Sequence, residues 1–215
     1  MARLPLALSA HPSAWTADAE PGGRQAATAA TITCQFCGQP TAGWQERYHL
    51  NDDHADATPA NVVTSCPLCH LPQHLNRPEI DREAVLIWLP EMAQAALNVL
   101  VRQLHLALLA AGQGPMWQPA GGVVPPPAAH APLAAYRALH ERAAVADMRL
   151  GTSSPRQLGA ALLRLPGSEY RHRAALLGGI RLLPLGRLYR DGRDSYPAML
   201  SAWAAPSPPL GSLSA

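Results

Sequence analysis

The apolar positions along the chain change period three times, and each change predicts an element. Residues 4–8 form a short apolar run broken by Pro5, read as an early strand leading into a Gly-, Ala- and Thr-rich connection that reaches residue 30. Residues 84–89 are continuous, apolar and β-favouring, which predicts a short strand, and Pro90 stands where a helix can begin. From 91 to 111 the pattern becomes helical. Met92, Ala96, Val99, Leu100, Gln103 and Ala107 gather on one side of a helical wheel, with Leu97, Leu104 and Leu108 beside them, so a long, mostly buried helix is expected.

Gly112 and Gly114 end that helix, and residues 118–132, with five Pro, read as a linker or an ordered irregular loop. A second helix is expected over 132–149, burying Tyr136, Leu139, Ala143 and Val145 and presenting Arg137, Glu141 and Arg142. Thr152, Ser153 and Ser154 before Pro155 form a helix start, because a hydroxyl can cap free amides and Pro is tolerated in the first turn; this third helix runs to residue 165. Further helices are expected at 169–177 and 195–204, separated by residues 180–185, and 206–215 reads as a flexible tail. No internal repeat is visible. The pattern divides the chain into an N-terminal strand and connection (1–30), a small metal module (31–88) and a helical domain (89–205), an α+β protein.

Composition adds a bias in charge. With 48% hydrophobic residues in 215, a packed core is well supplied. Formal net charge is only +2, which gives no reason to expect a nucleic-acid or membrane-surface protein. There is no Lys, and Arg is unevenly placed: 5 Arg face 10 Asp and Glu over residues 1–100, against 12 and 5 over 101–215. A basic second half can receive an acidic protein segment as readily as phosphates, although Arg181, Arg187, Arg190 and Arg193 also fit an ordinary solvated face. Residues 4–8 lack the length and cleavage pattern of an export signal, and the apolar stretch at 97–111 is interrupted by Arg102, Gln103 and His105, so a soluble, cytoplasmic protein without membrane insertion is expected.

The cysteines carry the strongest chemical signal. Cys34 and Cys37, and Cys66 and Cys69, form two Cys-x-x-Cys knuckles 28 residues apart, each able to place two sulfurs on one ion. In a reducing compartment the favoured reading is one structural zinc ion held by all four. Two disulfides remain an alternative, as does redox chemistry in a thioredoxin-like context that the pattern does not supply. Cys66, Pro67, Leu68, Cys69 and His70 also match a c-type haem attachment run, which would leave Cys34 and Cys37 unexplained. A zinc deaminase would need a His-x-Glu motif and a Pro where Ser65 stands.

Between the knuckles, Tyr48 to His54, Asn61 and the run 66–74 resemble the ββα-metal module of HNH endonucleases. The resemblance makes His49 the base that activates water, Asn61 the residue that holds the loop, and His70 or His74 the last His, beside a divalent ion. Tyr48 departs from the pattern, since a metal-ligating Asp or His usually precedes the base. Asp52, Asp53 and His54 could substitute as ligands or form a solvated turn, and the acidic module suits a DNA backbone poorly.

Taken in order, residues 33–38 (Thr, Cys, Gln, Phe, Cys, Gly), 61–69, 86–98 and 180–184 resemble the IcmJ/DotN family of the Dot/Icm type IVB secretion apparatus, with a Trp, Ala, Ala ending at 203–205. The resemblance covers most of residues 5–205. It implies an HNH-like zinc fold used as a non-enzymatic scaffold, with Cys34, Cys37, Cys66 and Cys69 as zinc ligands. It further implies docking on the C-terminal tail of a DotL-like coupling ATPase with its adaptor assembly, at the cytoplasmic side of an inner-membrane secretion complex. The alternative is a metal-dependent nuclease using His49, Asn61 and His74.

Overall fold

The structure, a computed structural model, describes residues 3–11, 32–115 and 124–205. It is a mixed α+β fold built from short two-stranded sheets and helices. A hairpin of β1 (Glu46–His49) and β2 (Val62–Ser65) pairs antiparallel with Tyr48 opposite Val63. The chain passes directly into a short helix α1 (Pro67–His70), a 3-10 turn (Leu71–Gln73) and α2 (Ile80–Glu83). Strand β3 (Ala84–Trp88) follows, then the long helix α3 (Gln94–Ala110).

The second half contains α4 (Pro127–Glu141), α5 (Ala143–Leu150), α6 (Pro155–Leu162), α7 (Gly167–Arg171) and α8 (Arg173–Leu176). It then returns as β4 (Ile180–Pro184), a small hairpin of β5 (Tyr189–Arg190) and β6 (Arg193–Asp194), and a last helix α9 (Tyr196–Ala204). Segment 180–185, expected only to separate two helices, is therefore a strand, and it pairs antiparallel with β3 in the register Leu86 to Leu182.

That β3–β4 ribbon is where the two halves of the chain meet. Alternation sends Ala84, Leu86, Ile180 and Leu182 into one apolar cluster with the cysteines, α6 and α9. It sends Ile87 and Leu183 into a second cluster with Leu97 and Val101 of α3 and Tyr136 and Leu139 of α4. Both outer edges are covered. Ser153 and Arg142 carbonyls accept from Leu86 and Trp88 amides, and the Gln94 side chain both donates to the Leu182 carbonyl and accepts from its amide, each at 2.8 Å. Gly179 precedes β4 at φ +87°, and a Cβ there would lie 2.4 Å from the Trp88 ring, so only Gly fits.

Several expected boundaries and faces are corrected. Residues 4–8 join no sheet; instead Leu4 bonds Gln35, and Ser9 bonds both Pro72 and Leu75 through the backbone. The second helix begins at Pro127 rather than 132 and contains Pro132. In the second turn a missing amide forfeits a single hydrogen bond, while Ala129 and Leu133 gain burial. That helix breaks at Arg142, and Ala146, rather than Val145, is the buried residue beyond the break. The segment 169–177 is two short helices instead of one. The capping expectation holds: the Ser154 hydroxyl accepts from the Gln157 amide and Pro155 opens α6. The expected connection at 12–30, part of the Pro-rich linker and the tail 206–215 lie outside the described residues.

The long helix buries a different face from the one its apolar pattern predicts. Gln94, Leu97, Asn98, Val101, Arg102, His105 and Leu108 point inward, whereas Ala96, Gln103 and Ala107 are exposed. The buried polar side chains of this face reach partners in distant segments, although Arg102 Nε and His105 Nε2 find none. Arg102 donates to the Pro40 carbonyl at 2.8 Å and lies 4.2 Å over the Trp203 ring, and His105 Nδ1 meets the Tyr196 hydroxyl at 2.5 Å.

Burial pushes His105 down to about 3 from an ordinary 6.5. The folded chain thus keeps it neutral where the unfolded chain would already be protonated, so its contribution is complete above pH 6.5 and declines as pH falls toward 3. Between pH 7 and pH 5, urea unfolding should show the wild type losing about 2 kcal/mol more stability than His105→Asn. Parallel losses in the two proteins would refute the assignment.

Candidate metal centre

The first knuckle is a closed turn. The Gly38 amide donates to the Cys34 carbonyl at 2.8 Å and the Cys34 amide donates to Gln39 at 2.9 Å; Gly38 adopts φ +72°, which reverses the chain right after the second sulfur. The second knuckle is a helix start. Cys66 is the extended residue before α1, Pro67 takes the first helical position, and the amides of Cys69 and His70 both donate to the Cys66 carbonyl at 3.0 Å.

These two turns bring four buried, free cysteines together, with all sulfurs within 4.8 Å of one another. Cys37 and Cys66 sulfurs are 3.8 Å apart. A tetrahedral ion with metal–sulfur bonds of about 2.3 Å requires an edge of about 3.8 Å, so the spacing fits a single four-coordinate cation. Protons alone serve the tetrad poorly: hydrogen bonds from Cys37 and the other thiols pull Cys34 down, while Cys34, Cys37 and burial push Cys66 and Cys69 up. A cation would replace that uneven sharing. The four sulfurs could hold a metal ion.

Asn98 completes the environment, and sequence reasoning missed it. From α3 its Nδ2 donates to the Leu68 carbonyl at 2.8 Å and to Cys69 Sγ at 3.4 Å, a donor aimed at the atom that carries charge when a metal is bound. The signal available in the sequence was the spacing of Gln94, Asn98 and Arg102, polar residues one turn apart within an apolar helix.

Beside this centre lies a histidine cluster. His49 ends β1, His54 comes from the following loop, His70 ends α1 and His74 directly follows the 3-10 turn. His70 and His74 Nε2 atoms are 2.9 Å apart, and His70 Nδ1 is 2.8 Å from Glu46 Oε2. The His49 ring packs on His54 with centroids 4.3 Å apart. Burial and then His54 depress His49 to about 4, and burial holds His74 well below its usual range, so both are neutral imidazoles at neutral pH. The expected trio of His49, Asn61 and His74 is thus partly assembled. Asn61 sits apart, accepting from the Asn51 amide at 2.9 Å and donating to the Asp56 carbonyl at 2.7 Å within the loop.

Within the acidic turn, Asp52 is withdrawn from solvent while its neighbours stay at least partly exposed. Asp52, at φ +64° and buried, pairs with Arg173 of α8, accepts from Ser9 Oγ at 2.9 Å and from Gln73 Nε2 at 3.0 Å. Asp53 instead caps the Ala55 amide. The basic run is likewise largely spent inside the molecule: Arg181 donates to the Met92 carbonyl, Arg187 to the Tyr189 hydroxyl, and Arg190 pairs with Glu46.

Fold and site define an α+β protein organised around a buried four-cysteine centre able to hold a metal. Over 177 residues the chain is 25% identical to the Type 4 apparatus protein DotN of Legionella pneumophila, a similarity that spans 80% of this chain and 73% of that protein. No family model matches the chain. Among the described residues no helix is long and apolar enough to cross a membrane.

The Asp52–Arg173 pair ties the loop after β1 to the far end of the chain, and both side chains are nearly or largely buried. Asp52→Ala should therefore cost about 3 kcal/mol by chemical unfolding, since it strands a buried guanidinium, and the double variant with Arg173→Met should recover part of that loss. Additive losses would mean that the two residues act independently.

Proposed function

We propose that this protein is a non-enzymatic subunit of a type IV secretion coupling complex, in which one structural zinc ion on Cys34, Cys37, Cys66 and Cys69 holds an HNH-like core rigid. The similarity to DotN over 80% of the chain carries the reading. The antiparallel β1–β2 hairpin followed by α1, with the cysteine pairs at either end, supports a ββα zinc module. A closed set of four thiolates leaves an ion no open position, which suits scaffolding rather than turnover.

The partner in this reading is the C-terminal tail of a DotL-like coupling ATPase with its adaptor assembly, and the place of work is the cytoplasmic side of the inner membrane. Arg173, Arg181 and Arg190 are engaged inside the molecule, so a basic face for the tail would have to come from the exposed Arg137, Arg149, Arg156, Arg164, Arg171 and Arg193. Purified chain should co-elute with the isolated ATPase tail in a one-to-one complex; failure of the two to associate at micromolar concentration would remove the partner assignment.

One observation favours a second reading, a metal-dependent nuclease. His49, the base in the HNH pattern, packs at 4.3 Å between ring centroids on His54 beside His70 and His74. The scaffold reading expects no DNA cleavage with Mg²⁺ or Mn²⁺; cleavage that disappears in His49→Ala would establish the nuclease instead.

A further inference from the structure

A cleft of about 460 Å³ lies between the N-terminal segment, the start of α3 and the start of β4, and it uses none of the sulfur or histidine donors. We propose that this cleft binds one long-chain carboxylate, a free fatty acid, with its hydrocarbon along the apolar wall and its carboxylate on Arg181 at the start of α3. This goes beyond the scaffold reading and does not depend on it.

The lining selects hydrocarbon over peptide. Leu4, Leu6, Leu8, Phe36, Leu177 and Ile180 supply most of it, and its only polar side chains are Gln94, Arg3 and Arg181. Gln94 is already engaged: its nitrogen donates to Asn98 and to the Leu182 carbonyl, and its oxygen accepts from the Leu182 amide. A peptide would therefore bury backbone amides and carbonyls against a wall with no free side-chain partner beyond the two guanidiniums, whereas an acyl chain needs none. A methylene fills nearly the volume of a water in the liquid, about 30 Å³, so the cleft takes about fifteen of them. That is one acyl chain and not the two of a diacyl phospholipid.

Arg181 is positioned for the carboxylate. Its Nε donates to the Met92 carbonyl at 2.5 Å and its Nη1 to the Ile180 carbonyl at 2.7 Å, neutral acceptors that fix the guanidinium without cancelling its charge and leave Nη2 for a ligand. Glu91, the carboxylate that acts on Arg181, is itself bound to Arg142 at 2.5 Å. Burial accordingly holds Arg181 below its usual pKa, as for a cation that lacks a counterion. The 17-residue helix α3 begins beside it with no side-chain cap and no acidic residue in its first turn, and residues 93–96 line the cleft, so the helix dipole adds to the same field. Arg3 brings a second positive charge from the N-terminal segment.

The test titrates the full chain with monomeric alkyl probes in a calorimeter. Dodecanoate should bind one-to-one, and decanoate about tenfold more weakly, since each buried methylene contributes about fourfold. Dodecanol and dodecyltrimethylammonium should bind at least about tenfold more weakly than dodecanoate, because neither gives Arg181 a charged acceptor. Arg181→Gln should lose the preference for dodecanoate over dodecanol. Arg181 also ties β4 to the start of α3, so the exposed Arg3→Gln provides a second reading, a several-fold loss for dodecanoate at unchanged melting temperature. Ala95→Phe should fill the cleft and abolish binding of every probe. Vesicles of phosphatidylglycerol should not carry the chain in flotation. Absence of dodecanoate binding, equal affinity for dodecanol, full binding by Ala95→Phe, or capture by vesicles without uptake of dodecanoate would overturn the site.

Discussion

Four buried sulfurs converging within 4.8 Å form the constraint on which the rest of the architecture depends. Thiols so placed cannot all ionise without a cation, and their separation matches the edge of a tetrahedral site. The sulfur cluster joins a turn at residues 34–38 to the helix start at Cys66 across 28 intervening residues. The β1–β2 hairpin and its loop are that intervening segment. Their conformation is therefore enclosed by the centre, which explains how a module with only two four-residue strands can order a long polar loop.

The same constraint accounts for the inverted face of α3. An apolar helix should bury its most apolar side, and the expectation from period alone places Ala96, Gln103 and Ala107 inward. Burying the knuckles, however, leaves the Leu68 carbonyl, a sulfur and the Pro40 carbonyl in need of donors, and only Asn98 and Arg102 can supply them. Unsatisfied acceptors in the core would cost more than the exposure of two alanines. Gln94 extends the logic by closing the free edge of β4. Local amphipathicity is thus outvoted by hydrogen-bond demand from residues distant in sequence, a demand invisible to any window of the chain.

What was legible divides along the same line. The two cysteine knuckles, strand β3, the Ser154 cap and the last helix follow from local chemistry, where spacing or capping acts within a few residues. The pairing of β3 with residues 180–184, the burial of Asp52 against Arg173 and the role of Glu46 behind His70 depend on contacts between remote segments, for which one sequence holds no signal. His54 was legible as one of three residues, with Asp52 and Asp53, that could either act as ligands or form a solvated turn. Its separation from Asp52 and Asp53 is decided by the left-handed backbone at Asp52, which sends that carboxylate inward.

The two donor sets are mechanically linked through one short helical run. Cys66 precedes α1, Cys69 and His70 lie on it, and His74 follows the 3-10 turn, so one short segment carries two sulfurs and two imidazoles. Tyr48 stands across the gap, its ring 4.5 Å from Phe36 of the first knuckle and 5.8 Å from His70. Tightening the sulfur centre fixes the start of the helix and thereby the direction in which His70 and His74 project. The four sulfurs and the imidazoles of His70 and His74 are thus held beside one another by the same short segment, so a change in the geometry of one set is transmitted to the other.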